Sequence, residues 1–284
     1  MTNLTGSLAS RFLLDCEGGS YVITSKGNPQ IKKAKTLLRR SGRDKEGLFL
    51  VEGVRLTEEA VSSGLVEVAF YSPKLLESPR GEELLGKVQA AGIQAVACSA
   101  SVLAEISDTV TSQGVVAVVR KPTWKWELSG LIIVADQIRD PGNLGTLFRT
   151  AVAAGAKGML LTTGCVDPYN NKVVRASMGG IFHLPHAIFG GGQVVKMLQE
   201  AGFQIVVADL TDSETYFAAH YAQDVALVIG NEAHGPSSEL RQAADVRVKI
   251  PLLGEMESLN ASVAAGILMY EIVRQHHLSR EDLL

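Results

Sequence analysis

The chain has 284 residues, of which 46% are hydrophobic and 20% charged, and its formal net charge is −3 at pH 7. These values are typical of a globular protein with room for two domains, and no apolar run approaches the roughly 18 residues of a membrane span. The start lacks the layout of a secretory signal, and Cys16, Cys98 and Cys165 show no metal-ligand rhythm, so we expect a cytoplasmic protein without a metal site.

A strongly basic segment follows a polar start of about twenty residues, which we expect to be poorly ordered. Residues 26–45 carry a net charge of +7, and since the whole chain carries −3, the remainder carries −10. Charged runs are usually solvated helix faces, but here only Asp44 interrupts the cations. We therefore interpret the segment as a phosphate-binding surface. Its residues are Lys26, Lys32, Lys33, Lys35, Arg39, Arg40 and Arg43.

Helical and strand patterns alternate along the rest of the chain. The first part has predicted helices near 29–41, 57–63, 81–91 and 101–107 and predicted strands at 48–53, 66–72, 93–99 and 114–120. Pro122, two Trp residues and Gly130 break this rhythm, so residues 122–130 are the predicted linker between domains 21–121 and 131–284. The second part has predicted strands at 131–136, 158–163, 205–210, 225–230 and 246–252, with helices near 143–155, 171–178 and 191–201 and a final helix. Its strands are continuous apolar runs, which indicates a parallel sheet buried on both faces.

A polar turn follows the first strand of the second domain. The sequence Pro141-Gly142-Asn143 predicts a tight turn that opens a helix. In parallel α/β sheets, ligands bind at the carboxyl ends of the strands. Arg149 lies within two turns of Asn143 on an otherwise apolar helix. Most arginines are surface residues, but the apolar neighbours leave little room for a solvated face and favour a functional role.

A second turn, VIGNEAHGPSSEL (228–240), ends another apolar strand. Gly230 and Gly235 bracket Asn231, Glu232 and His234, and glycine permits a close approach of backbone to ligand. Glu232 could instead be a helix cap, and a single loop histidine is more often a bystander, so no role is predicted for His234.

The third turn, Ser258-Leu259-Asn260, lies between a strand and a strongly apolar helix. Serine and asparagine both favour helix starts, so capping explains one of the two residues. Capping does not readily explain both together with the preceding Gly-Glu loop. Free N–H groups at a helix start also bind ligand acceptor atoms, so we interpret this segment as a ligand-binding turn.

A dinucleotide-binding site is the main alternative for the first turn. Gly142 and Gly145 follow a strand, but the G-x-G-x-x-G spacing is absent. No acid follows the next strand, where Thr162 and Thr163 stand. The match is therefore weak, and a NAD-dependent enzyme is a distant third hypothesis.

Taken together, the three turns resemble the SpoU (TrmH-like) branch of the SPOUT superfamily of RNA methyltransferases, over residues 131–275. Pro236 departs from the family pattern, where an aliphatic residue is usual. Residues 21–121 are more loosely similar to the ribosomal-protein-like RNA-binding domain of many members. The matching motif residues are Asp136, Asp140-Pro141, Asn143, Gly145, Arg149 and Ala151; Gly230, Glu232 and Gly235; and Ser258-Leu259-Asn260.

The resemblance implies two α/β domains, the second with a trefoil knot, and an enzyme that forms a homodimer through the second domain. It implies S-adenosylmethionine as methyl donor and an RNA ribose 2′-hydroxyl as acceptor. Ribosomal RNA is the favoured substrate, because the added domain suits a structured target; transfer RNA, or a non-catalytic RNA-binding role, is the alternative.

The family also implies roles for individual residues. Arg149 would take a central part in activating the 2′-hydroxyl. Because a guanidinium with a pKa above about 12 is normally only a donor, we expect it to act by stabilising charge and anchoring phosphate. Asn143 would orient the ribose or Arg149, and Glu232 would fix Arg149 or the substrate. The implied catalytic residues are Arg149, Asn143, Glu232, Ser258 and Asn260. The implied cofactor-binding residues are Gly230, Asn231, Ile250, Leu252, Leu259 and Asn260.

Overall fold

The computed structural model describes residues 22–125 and 127–277, so the polar start predicted to be poorly ordered lies outside the described residues. The chain divides into two compact units. Unit 1 runs to Pro122 and includes Tyr169–Arg175, and unit 2 comprises Thr123–Pro168 and the chain from Ala176 onward. Residues 169–175 fall within the predicted second domain, but in the structure they belong to unit 1.

Unit 1 is built on a mixed four-stranded sheet in the order β1-β4-β2-β3. β4 pairs antiparallel with β1 and β2, and β2 pairs parallel with β3. Neighbouring residues of β4 face opposite sides: Val116 joins the core under α1, and Val115 joins the core under α4. The elements are α1 (Pro29–Thr36), α2 (Arg40–Glu46), β1 (Leu48–Glu52), α3 (Val54–Ser62), β2 (Val66–Tyr71), a 3₁₀ turn (Pro73–Glu77), α4 (Pro79–Ala90), β3 (Gln94–Ala97), α5 (Ala100–Leu103) and β4 (Val115–Arg120).

The basic segment forms two helices rather than the single helix predicted near 29–41. The Arg43 side chain is buried, and its guanidinium donates to the carbonyl oxygens of Leu37 (2.8 Å) and Leu38 (3.1 Å), where α1 has ended. Gly42 fits there because a Cβ would lie 2.1 Å from the Thr36 carbonyl oxygen. The prediction that Arg43 belongs to the RNA-binding surface is therefore wrong, because its guanidinium is buried and donates to the carbonyl groups of this turn.

Unit 2 contains a seven-stranded sheet in the order β7-β6-β5-β10-β8-β11-β9, and every pair is parallel. This confirms the parallel α/β sheet expected from the apolar runs, since β5, β6 and β10 are buried throughout. The elements are β5 (Leu131–Ala135), α6 (Pro141–Ala153), β6 (Gly158–Thr162), α7 (Asn171–Ala176), a 3₁₀ turn (Gly180–Phe182), β7 (His186–Phe189), α8 (Gly191–Glu200), β8 (Gln204–Ala208), β9 (Glu214–Thr215), β10 (Val225–Ile229), α9 (Ser238–Gln242), β11 (Val246–Lys249) and α10 (Ala261–His277).

The parallel sheet places the three polar turns at one edge of unit 2. They follow β5, β10 and β11, and carboxyl ends of parallel strands lie at the same edge. Helices α6 and α10, which leave the first and third turns, pack against each other, with Gly266 beside the Thr150 methyl group. Within residues 22–125 and 127–277, no helix combines the length and apolarity needed to cross a membrane.

Candidate functional site

A chain of side-chain hydrogen bonds joins the three turns. Asn143 donates from Nδ2 to Glu232 Oε1 at 2.8 Å, and its Oδ1 accepts from Asn260 Nδ2 at 2.8 Å. Both polar atoms of the Asn143 amide are therefore engaged, which fixes the orientation of the side chain. The structure thus brings together three of the residues predicted to be catalytic.

Helix α6 places Asn143 by its own start signals. Asp140 is the N-cap, and its Oδ1 accepts from the Asn143 backbone N–H at 2.8 Å. Pro141 occupies the first helical position, where its missing N–H costs nothing. The capping interaction therefore holds the backbone of Asn143 while its side chain reaches the other two turns.

The second turn is tight and depends on glycine. A Cβ on Gly230 would lie 2.1 Å from the Pro236 nitrogen, so a side chain there would open the turn. Asn231 and Gly235 exchange both backbone hydrogen bonds, at 3.1 and 2.9 Å. Glu232 sits on the exposed part of this turn and is not a helix cap, because α9 begins at Ser238 with Ser237 as its cap.

The third turn separates the roles of Ser258 and Asn260. Asn260 Oδ1 accepts from the backbone N–H groups of Ser262 (3.0 Å) and Val263 (3.3 Å), so Asn260 caps α10 while its Nδ2 binds Asn143. Ser258 is exposed and lines the neighbouring cavity. The capping interpretation therefore applies to Asn260 and leaves Ser258 available to a ligand.

A cavity of about 490 Å³ lies where β8, β10 and β11 end. Its walls include five of the predicted cofactor-binding residues: Gly230, Asn231, Ile250, Leu252 and Leu259. Glu232 and Ser258 line it too, whereas Asn143, Asn260 and Arg149 do not. Asn143 instead binds the wall residue Glu232, and Asn260 binds Asn143.

The cavity is also lined by charged residues that are not among the predicted site residues. Asp209 lines it and pairs with Arg241 across 2.7 Å, and Lys249 lies in the same wall. Asp209 follows β8 directly, so the end-of-strand signal that singled out the other turns was present here as well. Among residues 22–125 and 127–277, no group of three or more His, Cys, Asp or Glu side chains is placed to hold a metal ion.

Arg149 is exposed on α6, outside the cavity wall. It lies on a stripe with Thr146 and Ala153, which are also exposed, while Leu147, Phe148 and Ala151 face the core. The inference that its apolar neighbours leave little room for a solvated face is therefore wrong. Within the part of the chain that the structure describes, the Arg149 side chain makes no hydrogen bond or ion pair.

The basic surface of unit 1 is partly neutralised by acids. Glu105 accepts from both Lys26 and Lys35, each at 2.5 Å, and these hydrogen bonds lower the pKa of Glu105 to about 2. Lys33 lies 3.4 Å from Glu46. Arg40 lies 3.5 Å from Asp44.

Two predicted contact residues of this surface have no such partner. Lys32 on α1 and Arg39 at the start of α2 are exposed, and neither pairs with a carboxylate among the residues that the structure describes. Their charges are consequently the ones most available to an external phosphate.

Comparisons with known proteins match both units. The sequence profile of the SpoU rRNA Methylase family matches residues 130–270, and that of the MRM3-like substrate binding domain matches residues 28–117. The chain is 32% identical to the 23S rRNA (guanosine(2553)-2′-O)-methyltransferase RlmP of Bacillus subtilis, over 88% of this chain and 98% of that protein. It is 34% identical to the 23S rRNA (uridine(2479)-2′-O)-methyltransferase of Streptomyces viridochromogenes, over 89% and 92%.

A solved structure agrees with these sequence matches. The AdoMet-bound rRNA methyltransferase from Sinorhizobium meliloti superimposes with a TM-score of 0.80 and 30% identity, over 91% of this chain and 98% of that chain.

Two substitutions of Asn260 should separate its capping role from its bond to Asn143. Asn260→Asp keeps a capping oxygen but removes the Nδ2 donor, so amide exchange at Ser262 and Val263 should stay close to wild type. Asn260→Ala removes both and should cost about 1 kcal/mol of local stability, with roughly fivefold faster exchange at those amides. Equal acceleration in both variants would show that Oδ1 does not cap α10.

Proposed function

The chain belongs to the SpoU rRNA methylase family, and on this premise we propose that it transfers a methyl group from S-adenosylmethionine to a ribose 2′-hydroxyl of ribosomal RNA. The observation that carries the proposal is the Glu232–Asn143–Asn260 chain beside a cavity of about 490 Å³. The names of its relatives, which are 23S rRNA 2′-O-methyltransferases, support ribosomal RNA as the substrate. We propose that the protein acts on this RNA in the cytoplasm.

The cavity residues fit S-adenosylmethionine. The volume of the cavity falls within the range of roughly 300–1,000 Å³ that is typical of small-molecule sites. Ile250, Leu252 and Leu268 offer apolar contact for a base, and Gly230 lets the backbone approach closely. Asp209 and Glu257 offer carboxylates for hydroxyl or ammonium groups. When bound, the cofactor supplies an electrophilic methyl group on a sulfonium.

The chain itself contributes position and charge. Methyl transfer requires the hydroxyl oxygen to lie in line with the methyl group and to lose a proton. Asn143, held at both amide atoms, is suited to orient the ribose, and Glu232 holds Asn143 from the cavity wall. Ser258 is suited to hold the third turn against the ligand. Arg149 would stabilise developing charge and anchor a phosphate, and the proton would pass to that phosphate or to solvent.

The proposal includes a homodimer formed through unit 2. Helix α10 and its preceding turn expose apolar side chains: Leu259 (39%), Val263 (52%) and Tyr270 (52%). Val263 and Tyr270 lie about two helical turns apart and so share one face of α10. Such a stripe favours burial against another surface. Because α6 packs against α10, association there would also cover Arg149, which does not line the cavity of its own chain.

The proposal also includes a trefoil knot in unit 2. Its support is the family resemblance together with the strand order, in which β10 lies between β5 and β8, two strands that both precede it in the chain. The chain then returns through β11 and packs α10 against β10 and α6. Knots are very rare, so periodicity alone does not predict one.

Arg149→Ala should lower methylation of ribosomal RNA by about 100-fold, because a charge-stabilising donor is lost from the transition state. The dissociation constant for S-adenosylmethionine should stay within about twofold of wild type, since Arg149 lies outside the cavity wall. Calorimetry and a methyl-transfer assay give the two values. Lys196→Ala, at an exposed cation on α8, is the matched control and should change neither. Wild-type turnover in the Arg149 variant would contradict the assignment.

The dimer is tested by sedimentation equilibrium. The wild-type chain should sediment at twice its 30.3 kDa mass, and Val263→Glu or Tyr270→Glu should shift it to the monomer by burying a charge in the interface. Ile188→Glu, at an exposed apolar residue on β7, is the control and should leave the dimer intact. A dimer that survives both α10 substitutions would place the interface elsewhere.

The RNA-binding surface is tested through salt dependence. The double variant Lys32→Gln/Arg39→Gln should reduce the slope of log K against log salt by about 1.5, because two phosphate contacts are lost. Filter binding to structured ribosomal RNA across a salt series measures the slope. Arg80→Gln/Lys87→Gln removes the same charge from cations paired with Glu58 and should leave the slope unchanged. An unchanged slope in the first variant would exclude this surface.

A further inference from the structure

A buried carboxylate lies behind the cavity without touching it. Asp136 follows β5 and is 1% exposed, and it forms no ion pair with any residue in 22–125 or 127–277. Its Oδ1 accepts from the Thr162 hydroxyl at 2.7 Å, and its Oδ2 accepts from the Ser237 backbone N–H at 2.6 Å. A charge buried this deeply costs stability unless its hydrogen bonds are satisfied, so the two donors are needed to keep it there.

The next residue holds the other end of the same turn. Gln137 has φ +55°, in the left-handed region that residues other than glycine rarely occupy. Its carbonyl oxygen accepts from Asn231 Nδ2 at 2.9 Å, and its N–H donates to Thr162 Oγ1 at 2.9 Å. Thr162 therefore links the two neighbours, because its hydroxyl donates to Asp136 and accepts from Gln137.

Consecutive residues of the first turn thus clamp the second turn at both ends. Gln137 holds Asn231 and Asp136 holds Ser237, and the cavity-lining segment between them carries Glu232. At the start of this segment, Gly230 is packed so closely that a Cβ would collide with the backbone of Gly235 and Pro236. The position of the cavity wall consequently depends on groups that no ligand in the cavity would reach.

We propose that Asp136 is a positioning residue for the methyl donor: its carboxylate, through the Ser237 N–H, fixes the cavity wall formed by residues 231–236. This inference rests on the proposed function, because it takes S-adenosylmethionine as the occupant of the cavity. Asp136 acts on the cofactor through the turn and belongs to neither the catalytic nor the ligand-contacting residues.

The test is the dissociation constant for S-adenosylmethionine, measured by calorimetry on the full chain. Asp136→Asn removes the charge that strengthens both hydrogen bonds, whichever way the new amide is oriented, so the constant should rise roughly fivefold or more. Ser237→Pro removes the same bond from the other side, and the φ of −60° at Ser237 suits proline. It should also raise the constant roughly tenfold, and it carries the test if the Asp136 variant fails to fold.

The double variant Asp136→Asn/Ser237→Pro distinguishes positioning from general damage. Because both changes weaken or remove the same hydrogen bond, the double variant should bind no more than about twofold more weakly than either single variant. If the two increases in the dissociation constant instead multiply in the double variant, the inference is overturned.

A matched control lies in unit 1. Glu52 is also buried, and it also holds a loop, by accepting from the Asp108 backbone N–H at 2.9 Å and from the hydroxyls of Ser107 and Thr109. Glu52→Gln should lower the unfolding temperature without changing cofactor affinity. A weaker affinity in this control, or an unchanged affinity in a folded Asp136→Asn variant, would overturn the inference alone. No binding by the wild-type chain would overturn the proposed function as well.

Discussion

The amide of Asn143 is the interaction on which the rest of the site depends. Three contacts hold Asn143. Asp140 accepts from its backbone N–H at the start of α6, Glu232 accepts from its side-chain nitrogen, and Asn260 donates to its side-chain oxygen. Since Asn260 also caps α10, one amide couples the second turn and the starts of two packed helices. An amide with both ends occupied has one orientation, which gives the preorganisation that in-line transfer needs.

The end-of-strand rule explains why much of this site is predictable from sequence. Buried parallel strands are continuous apolar runs, and the polar residues that end them must lie at one edge of the sheet. Asn143, Glu232 and Asn260 were singled out in this way, and the family resemblance that they carried is confirmed by the profile matches and relatives. The edge strands β7 and β9 escaped detection because they are short and only partly buried.

The remaining misses depend on side-chain burial and pairing, which neither a charge count nor helical spacing reveals. The break between α1 and α2 exists because the buried Arg43 guanidinium binds two carbonyl groups, and a charge count cannot distinguish that arginine from an exposed one. Glu105, by contrast, lies seventy residues or more from the two lysines with which it pairs. The net charge of +7 on residues 26–45 therefore overstates the charge available to RNA. Helical spacing alone leaves open which side of α6 bears Arg149.

The central claim is that this site methylates ribosomal RNA on ribose. The most direct measurement maps 2′-O-methyl groups across the total RNA of a strain that lacks the gene, complemented in turn with the wild-type chain and with Asn143→Ala. The account predicts that one ribosomal RNA nucleotide loses its methyl group on deletion, regains it with the wild-type chain and does not regain it with the variant. Full restoration by Asn143→Ala, or a loss confined to transfer RNA, would contradict it.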